Sequence, residues 1–444
     1  MPKGVNPKED VIRFVHDNDV EMVNLWFTDI LGRLKSIGIT RDTLETALQE
    51  GIGFDGSSVE GFVRIYESDL IALPDASTFQ LFPWKLAGKA AGVMFCYTMN
   101  PDGTHYEGDP RYVLKRAVER AAEKGFSFNV GPELEYFYFR DSGQPTLLDV
   151  AGYFDVVPDD VGNELRQKTI FALQGMGIAV ECGHHEVAPS QQEIDLRYAH
   201  ALKMADQTML YRYLVKEVAK QNGVYATFMP KPIAHENGSG MHTHQSLFCG
   251  DKNAFFDANG PYHLSQVARS YLGGLLTHAR EIASVTNQWV NSYKRIVPGY
   301  EAPVYISWGQ RNRSALVRVP MYKPGKEEST RLELRSPDPA CNPYLAFAVM
   351  LAAGLRGIEG NYEAPAPIEE DIYHMSPEAR AQNGIHSLPD SLYSAIQETE
   401  KSEVVRDALG EGVFQKFLNN KRVEWEDYCI QVTDYELQKY LPVL

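Results

Sequence analysis

The stretch of sequence that decides the fold reads Gly131-Pro132-Glu133-Leu134-Glu135-Tyr136-Phe137-Tyr138-Phe139. Its aromatic residues favour a β-strand, and because side chains alternate along a strand, Glu133 and Glu135 share one face. Their Cα atoms are then about 7 Å apart. Two carboxylates this close repel each other and resist desolvation beside apolar neighbours unless cations join them. The pattern therefore predicts a metal site on a strand.

Three further strand-like segments carry unusual polar residues. Glu186 stands two residues after His184, and Glu193 follows at the end of a proline-containing loop. The run 240–248 places His242, His244 and Ser246 on one face, and in Arg331-Leu332-Glu333-Leu334-Arg335 a charged stripe opposes two leucines. The candidate metal ligands are Glu133, Glu135, Glu186, Glu193, Glu333 and His242. An oxygen-dominated set of this kind suits Mg²⁺ or Mn²⁺ better than Zn²⁺.

Each of these motifs alone has a purely structural explanation. Paired acids also occur on solvated strand faces, two adjacent histidines form hydrogen-bonded core pairs, and alternating charges occur on exposed, self-paired strands. Their combination favours the metal site, because several independent strands carry acids or histidine where half-buried strands usually carry Thr, Lys or Val.

The segments 291–303 and 311–318 are rich in arginine, which a metal site does not need for itself. Guanidinium groups suit phosphate and carboxylate, so the substrate is expected to be anionic. No GxxxxGK[ST] motif is present, so metals and arginines would hold a nucleotide. These residues alone predict a Mg²⁺- or Mn²⁺-dependent phosphoryl-transfer enzyme acting on a carboxylate.

Composition excludes several classes of function. The net charge of −16 argues against a nucleic-acid partner. The longest nearly apolar run, 345–355, is too short to span a membrane, and no apolar segment follows the N-terminus, so neither anchor nor secretion signal is expected. The five cysteines are scattered without a CxxC pair, which indicates a reducing cytoplasm.

Patterning changes near residue 105, so we expect an α+β fold with domains at 1–105 and 106–444. Strands are predicted at 21–27, 34–40, 127–139, 178–187, 225–229, 240–248 and 330–335, and helices at 43–50, 111–124, 162–175, 201–222 and 264–283. The acidic, proline-rich segment 363–376 is predicted to be a surface loop.

The chain resembles bacterial and archaeal type I glutamine synthetases over essentially its whole length. The resemblance rests on blocks in the family's order at 54–58, 131–135, 184–187, 231–232, 237–242, 291–303, 311–314 and 331–342. It implies an N-terminal β-grasp domain over 1–105 and a catalytic domain over 106–444 with a curved antiparallel sheet flanked by helices. It also implies a homo-oligomer of two stacked hexameric rings, with active sites between neighbours. The C-terminal residues 425–444 resemble the family's strap, which docks into the opposite ring.

The resemblance also implies roles for individual residues. Two or more Mg²⁺ or Mn²⁺ ions would bind, one at Glu135, Glu186 and Glu193 and another at Glu133, His242 and Glu333. The substrate ATP would contact Tyr198, His244, Ser246, Arg313, Arg318 and Arg331, and glutamate would contact Asn237, Gly238, Arg295, Glu301 and Arg335.

The implied reaction is the ATP-dependent ligation of ammonia to glutamate through γ-glutamyl phosphate. Asp55 of a neighbouring subunit would deprotonate ammonium, Tyr153 would help to form the ammonium pocket, and Glu301 would close over the intermediate. Without the resemblance, Asp55 is explained by an ordinary Asp-Gly turn. The alternatives are a ligase for a larger amine such as a polyamine, or a catalytically silent ring-forming protein.

Regulation is predicted from weaker signals. Arg64 matches the arginine of the subgroup that glutamine inhibits directly, although a surface arginine explains it equally well. The residues around Tyr373 depart from the pattern of the adenylylated tyrosine in the other subgroup. Ser190 and Gln192 stand where the family has Gly and His, beside the candidate ligand Glu193. A regulatory protein partner is left open.

Overall fold

The chain folds around two β-sheets, which the computed structural model describes over residues 7–61, 69–157 and 160–444. The first sheet uses residues before position 100 and the second uses residues from 127 onwards. Helices cover both sheets, so the α+β class predicted from the sequence is confirmed.

The smaller sheet is mixed, with strand order β2-β1-β6-β4-β3 and β5 paired to β6. Its strands are β1 Val20–Thr28, β2 Leu34–Thr40, β3 Ile52–Asp55, β4 Asp69–Pro74, β5 Gln80–Leu81 and β6 Ala90–Met99. β1 and β6 are parallel and the other pairs are antiparallel. The helices α1 Pro7–Asp17 and α2 Leu44–Glu50 pack on one face, where Val15, Ala47 and Leu48 join buried strand residues such as Leu25.

The larger sheet has strand order β14-β15-β16-β12-β7-β9-β8, with β10 and β11 paired to β7 and β13 paired to β12. Its strands are β7 Ser127–Phe139, β8 Val180–His185, β9 Gln191–Leu196, β10 Ala199–His200, β11 Tyr225–Thr227, β12 Met241–Cys249, β13 Lys252–Asn253, β14 Tyr305–Gly309, β15 Ala315–Arg318 and β16 Leu332–Leu334. The pairs are antiparallel as expected, except that β14 and β15 are parallel.

Helices surround the larger sheet and form the main core with it. They are α3 Pro110–Glu123, α4 Val161–Gly175, α5 Ala201–Gln221, α6 Gln266–Thr277, α7 Ala279–Thr286, α8 Ser292–Arg295, α9 Pro343–Glu359, α10 Pro377–Gln382, α11 Leu392–Glu400, α12 Glu403–Leu409, α13 Glu411–Cys429 and α14 Asp434–Tyr440. The apolar run 345–355 lies in α9, which begins at the N-cap Asn342 and is buried almost all round. Among the described residues, no helix is both long and apolar enough to cross a membrane.

The predicted helix 264–283 is wrong in one respect, because the structure divides it into α6 and α7 at His278. His278 has φ −96° and ψ 9°, and its ring Nδ1 lies 2.9 Å from Oε1 of Glu281. The apolar periodicity continues through the break, so periodicity alone does not reveal it.

The two sheets are joined by buried polar contacts. Arg111 in α3 lies between Asp75, beyond β4, and Asp206 in α5, with a nitrogen 2.9 Å from a carboxylate oxygen of each. The side-chain amide of Asn342 donates to the carbonyl oxygens of Asp29 and Ile30. Removing one partner of such a buried charged group is costly, so these contacts fix the smaller sheet against the larger one.

The C-terminal segment 425–444 is divided between two helices. α13 ends at Cys429 and the short α14 follows it. Apolar side chains are largely exposed along this tail: Ile430 76%, Val432 68%, Leu441 76% and Leu444 99%. A run of exposed apolar side chains of this kind marks an interaction surface.

Candidate active site

Strand register in the larger sheet brings the predicted ligands together. β7 lies between β12 and β9, where Glu133 is paired with His242 and Glu135 with Glu193. In the neighbouring pair, Glu333 of β16 is opposite His244 of β12. Directly paired residues have Cβ atoms about 5 Å apart, so these carboxylate and imidazole groups converge on one side of the sheet.

The converging side chains line a cavity of about 260 Å³, which we call the acidic cavity. All six predicted ligands contribute to it: Glu133, Glu135, Glu186, Glu193, His242 and Glu333. So do the predicted substrate residues Tyr153, Asn237, Gly238, Arg295, Glu301, Arg313, Arg318 and Arg335. The structure therefore gathers acids and arginines from distant parts of the sequence around one space.

A second cavity of about 250 Å³ adjoins the first and shares Glu133 and Asp195 with it. Among the residues lining it are four predicted to contact ATP: Tyr198, His244, Ser246 and Arg331. We call it the outer cavity. Tyr198 is 54% exposed, so its ring face is available to an aromatic ligand.

The buried acids of the acidic cavity have strongly perturbed protonation. Burial, and then the charge of Glu186, raise the pKa of Glu135 to about 8. Burial and the neighbouring Asp195 and Glu135 hold the pKa of Glu193 well above its usual value, and burial with the charge of Glu133 raises the pKa of Asp195 to about 7. Carboxylates crowded in this way favour protons or divalent cations, so this donor set fits Mg²⁺ or Mn²⁺.

One convergent ligand group differs from the expected set. The atoms of His184, Glu186 and Glu193 lie within 4.8 Å of one another, with His184 Nε2 3.1 Å from Glu193 Oε2. Glu135, which was expected in this group, instead uses Oε2 to accept hydrogen bonds from Gly240 N and Gln191 Nε2, both at 2.9 Å. His184 therefore joins the candidate ligands, whereas its neighbour His185 is a buried core histidine held by Asp149 at 3.0 Å.

The members of the second expected set, Glu133, His242 and Glu333, lie close together, although the convergent groups combine Glu133 and His242 with Glu193, and Glu133 and Glu333 with His244. His242 Nδ1 lies 3.4 Å from Glu133 Oε2 and 3.8 Å from Glu333 Oε1. Burial and the nearby Arg335 lower the pKa of His242 to about 4, so this ring is neutral and has a free lone pair at neutral pH. That is the form in which histidine binds a metal.

His244 has a different role, although it too lies within 4.8 Å of Glu133 and Glu333. Arg331 Nε donates to His244 Nδ1 at 3.2 Å, because a guanidinium is only a donor. The proton of a neutral His244 ring is then on Nε2, which donates to Glu133 Oε1 at 2.6 Å. His244 thus orients Glu133, and its protonated nitrogen is not a metal ligand.

Arginines surround the buried acid Glu333, whose side chain is 0% exposed. Arg335 Nη1 lies 2.8 Å from Oε1 of Glu333, and Arg318 Nε contacts Oε2. Arg295 beneath them is buried and donates to the carbonyl oxygens of Ser336 and Arg335. A Cβ atom at Gly240 would lie 2.5 Å from Arg295 Nη2, so a larger residue there would have to displace the guanidinium.

The segment around Glu301, which we call the flap (298–303), covers the cavity with a strained backbone. Glu301 has φ +54°, a conformation that non-glycine residues rarely adopt, and its Oε2 accepts a hydrogen bond from Asn237 at 3.4 Å. The ammonium of Lys231 lies 3.7 Å from the ring centre of Tyr300. The flap and the 231–238 loop therefore contact each other across the cavity.

The loop that carries Tyr153 packs on the ligand His184, with ring centres 5.6 Å apart. Ser190, at the start of the Glu193 strand, has φ +66°, which explains why glycine is expected there. Its hydroxyl oxygen accepts hydrogen bonds from the backbone N–H groups of Leu148 at 2.8 Å and Asp149 at 3.2 Å. In this chain the serine thus ties the Tyr153 loop to the ligand strand.

The predicted base Asp55 lies away from both cavities. Asp55 ends β3 of the smaller sheet, where its carboxylate accepts from Ser57 N at 2.9 Å and from Ser57 Oγ at 3.0 Å, and it lines neither cavity. Arg64 lies outside the described residues.

Sequence reasoning missed Gln191, Asp195 and the ligand role of His184. A usable signal exists for Asp195, because Glu193 and Asp195 repeat the alternation of Glu133 and Glu135 in the neighbouring strand. No pattern distinguishes Gln191, whose contact with Glu135 arises from strand pairing.

Comparison with known proteins gives a consistent result. The sequence model described as "Glutamine synthetase, catalytic domain" matches residues 107–440, and that described as "Glutamine synthetase, beta-Grasp domain" matches residues 19–101. A glutamine synthetase of Mycolicibacterium smegmatis is 54% identical over 440 residues, 98% of this chain and 99% of that protein. A glutamine synthetase of Methanosarcina mazei is 49% identical over 446 residues, covering 100% of this chain and 99% of the relative.

Solved structures agree with the sequence relatives. The glutamine synthetase of Plasmodium falciparum superimposes with a TM-score of 0.89 at 26% identity, covering 98% of this chain and 99% of that one. A structure described as a GmaS/ADP complex superimposes with a TM-score of 0.87 at 31% identity, with the same coverage.

Proposed function

The chain belongs to the glutamine synthetase family, and on that premise we propose that its adjoining cavities ligate ammonia to L-glutamate with ATP, giving L-glutamine, ADP and phosphate. The observation that carries the proposal is the sharing of Glu133 and Asp195 by the acidic and outer cavities. A nucleotide in the outer cavity places its terminal phosphate beside the acids and arginines of the acidic cavity.

In the first step, the γ-carboxylate of glutamate attacks the γ-phosphorus of ATP, and ADP leaves. Arg313 and Arg318 line the acidic cavity and Arg331 the outer one, so they neutralise charge on the phosphoryl group as it passes between the two. Glutamate is held by Arg335 and by Asn237 and Gly238 of the 231–238 loop. Arg295, which lines the same cavity, supports this glutamate site. Mg²⁺ or Mn²⁺ held by the five predicted acids, His242 and His184 would supply charge neutralisation and orientation of these anionic groups.

In the second step, ammonia attacks the γ-acyl carbon of γ-glutamyl phosphate and phosphate leaves. Ammonium must first lose a proton, and Asp55 of a neighbouring copy is the proposed base. Tyr153 and His184 form the end of the cavity near which ammonium would bind, and the flap residue Glu301 excludes water. The position of Asp55, away from both cavities of its own chain, supports a site completed by a second copy.

Assembly as a homo-oligomer is supported by the exposed apolar tail 430–444 as well as by this incomplete site. In more detail, we propose that the copies form two stacked hexameric rings with the tail docked across the two rings, and that the domains of each chain divide at residue 105. Mass photometry of the native chain and of a chain ending at residue 429 tests the assembly. The native chain is expected at twelve times its subunit mass and the truncated one at six times, whereas a monomer would contradict the proposal.

The function itself is tested by phosphate release from ATP with glutamate and Mg²⁺, with ammonium, putrescine or no amine added. Release that depends on ammonium is expected. Dependence on putrescine would indicate a ligase for larger amines. No phosphate release with any amine would indicate a catalytically silent, ring-forming protein. Asp55→Ala is expected to lower the rate by about 100-fold or more, as for loss of a general base.

Asp102→Ala is the matched control, because Asp102 caps a turn of the same kind by accepting from Thr104 N and Oγ1. It is expected to have native activity. Mixed oligomers of Asp55→Ala and Glu333→Gln chains test the shared site, since some sites then combine an intact Asp55 with an intact Glu333. Recovery of activity on mixing is expected, and its absence would place Asp55 and the acids in one chain.

Glutamine inhibition through Arg64 is part of the same proposal. Arg64→Ala is expected to raise the glutamine concentration needed for half-inhibition while leaving the KM for glutamate unchanged. An unchanged inhibition curve would contradict it.

A further inference from the structure

The segment 368–374, which we call the brace, contacts two of the loops that border the acidic cavity. It lies in the acidic, proline-rich stretch predicted to be a surface loop, but Ile372 at its centre is fully buried. The arginine loop (310–314), which carries Arg313, lies on one side of it, and the flap, which carries Glu301, lies on the other.

The brace holds the arginine loop with five hydrogen bonds. Glu369 accepts with Oε1 from Gln310 N and with Oε2 from Arg311 N, both at 2.9 Å. The amide of Asn312 donates to the carbonyl oxygens of Ile368 at 2.9 Å and Glu370 at 2.7 Å, and Ile372 N donates to Ser314 Oγ at 3.3 Å. Contacts on both sides of position 313 thus fix the backbone that presents Arg313 to the cavity.

The other end of the brace reaches the flap through Tyr373. Its hydroxyl donates a hydrogen bond to the carbonyl oxygen of Ala302, the residue after Glu301. The ring packs near Tyr305, with centres 6.0 Å apart, and Asp371 Oδ1 accepts from Tyr373 N at 2.9 Å. Burial raises the pKa of Tyr373 to about 12, so the hydroxyl remains a donor at neutral pH.

This contact matters because the flap backbone is strained. Glu301 with φ +54° keeps its conformation only if its neighbours hold it. Asn237 contacts the Glu301 side chain, and Tyr373 holds the adjacent peptide. Loss of the hydroxyl leaves the flap held by the Asn237 contact at 3.4 Å and by the contact of Lys231 with the Tyr300 ring.

We propose that Tyr373 is a positioning residue whose hydroxyl keeps the flap closed over γ-glutamyl phosphate, and that the brace couples this closure to the placement of Arg313. The inference rests on the proposed function. An open flap admits water, which attacks the acyl carbon in place of ammonia. The bond from that carbon to the phosphate oxygen breaks, and glutamate and phosphate result without glutamine.

The test compares phosphate released with glutamine formed in Tyr373→Phe, which keeps the ring and removes only the hydroxyl. The native enzyme is expected to give one phosphate per glutamine. The variant is expected to release more phosphate than glutamine. Its glutamate-dependent ATP hydrolysis without ammonium is expected to rise about two- to tenfold, because the net free energy of one hydrogen bond corresponds to a factor of that size. Hydrogen exchange of the 299–302 amides is expected to be faster.

Tyr344→Phe is the matched control, because the buried hydroxyl of Tyr344 donates to Asp206 at 2.7 Å far from either cavity. Its phosphate-to-glutamine ratio is expected to stay native. Asp371→Ala weakens the turn that presents Tyr373 and is expected to give a smaller excess of phosphate, so the proposal has a second variant if Tyr373→Phe assembles poorly.

A native phosphate-to-glutamine ratio in both Tyr373→Phe and Asp371→Ala would overturn the proposal. An excess of phosphate in Tyr344→Phe as large as that in Tyr373→Phe would also overturn it. An unmodified chain that releases no phosphate with ammonium would instead overturn the proposed function, so the two failures are distinguishable.

Discussion

The side-chain amide of Gln191 donates a hydrogen bond to Oε2 of Glu135 across 2.9 Å. Gln191 is fully buried, and the same amide also reaches the carbonyl oxygen of Gly238 at 3.2 Å. It therefore orients a candidate metal ligand and ties it to the loop that borders the glutamate site. Residues that orient metal ligands in this way commonly affect metal affinity as much as function.

Gln191→Ala is accordingly expected to weaken Mg²⁺ binding by about 10- to 100-fold, because Glu135 loses its orienting donor. Activity measured against Mg²⁺ concentration gives the apparent affinity. Gln288→Ala is the control, since Gln288 is also fully buried but donates to the carbonyl oxygen of Leu31, away from the cavities. Equal weakening in both variants would show a general loss of stability.

His244→Ala is expected to raise the KM for ATP by about tenfold or more, the worth of a hydrogen bond to a charged group. The variant removes the ring that joins Arg331 to Glu133 at the boundary of the two cavities. Mg²⁺ binding without nucleotide is expected to weaken less than in His242→Ala, because His244 orients Glu133 but its protonated Nε2 is not itself a ligand. A loss of Mg²⁺ binding as large as that in His242→Ala would contradict the assigned tautomer.

Metal binding at neutral pH is expected to release protons. Glu135, with its pKa raised to about 8, is mostly protonated at pH 7 without metal, whereas a bound cation requires the carboxylate. Mg²⁺ affinity should therefore rise as the pH rises towards 8, by up to about tenfold per pH unit for each proton released. Calorimetric titrations in buffers of different ionisation enthalpy count the protons.

Glu135→Gln supplies the comparison for that measurement, because its side chain cannot ionise. The variant is expected to bind Mg²⁺ more weakly and to release fewer protons than the native chain. A native chain whose Mg²⁺ affinity does not change between pH 6 and pH 8 would contradict the expected protonation.

Ser190→Ala is expected to be less stable than Ser190→Gly. Both variants lose the hydroxyl that accepts from Leu148 N and Asp149 N, but only alanine keeps a Cβ atom at φ +66°. The left-handed conformation costs a residue with Cβ about 1 kcal/mol more than glycine, a difference of a few degrees in unfolding temperature. Thermal unfolding and hydrogen exchange of the 148–149 amides measure the two effects separately. Native stability in Ser190→Ala would show that the hydroxyl contributes nothing.

Long strands with unusual polar residues were the part of the fold most accessible to sequence reasoning. The strand predicted at 127–139 is β7, and the run 240–248 covers all of β12 except its last residue, Cys249. Period-two alternation and the cost of placing acids on half-buried strands are local signals, so they survive without knowledge of the fold. The break at His278 was missed because apolar spacing continues across it.

The segment 363–376 shows the limit of composition as a guide. Proline and acids predict a solvated loop, yet Glu369 binds two backbone N–H groups, and Tyr373 reaches the flap. Neither contact partner is near in sequence, so nothing local marks the segment as a structural link between two active-site loops.

The sequence by itself determined the chemical character of this protein: paired acids and histidines on alternating strands, arginines for an anionic substrate, and the family to which these blocks belong. Only the tertiary structure decided which groups meet. Strand register set Glu133 against His242 and Glu135 against Glu193, and strand pairing brought Gln191 to Glu135. The physical reason is that alternation along a strand is a property of each segment, whereas register depends on contacts between segments far apart in the chain.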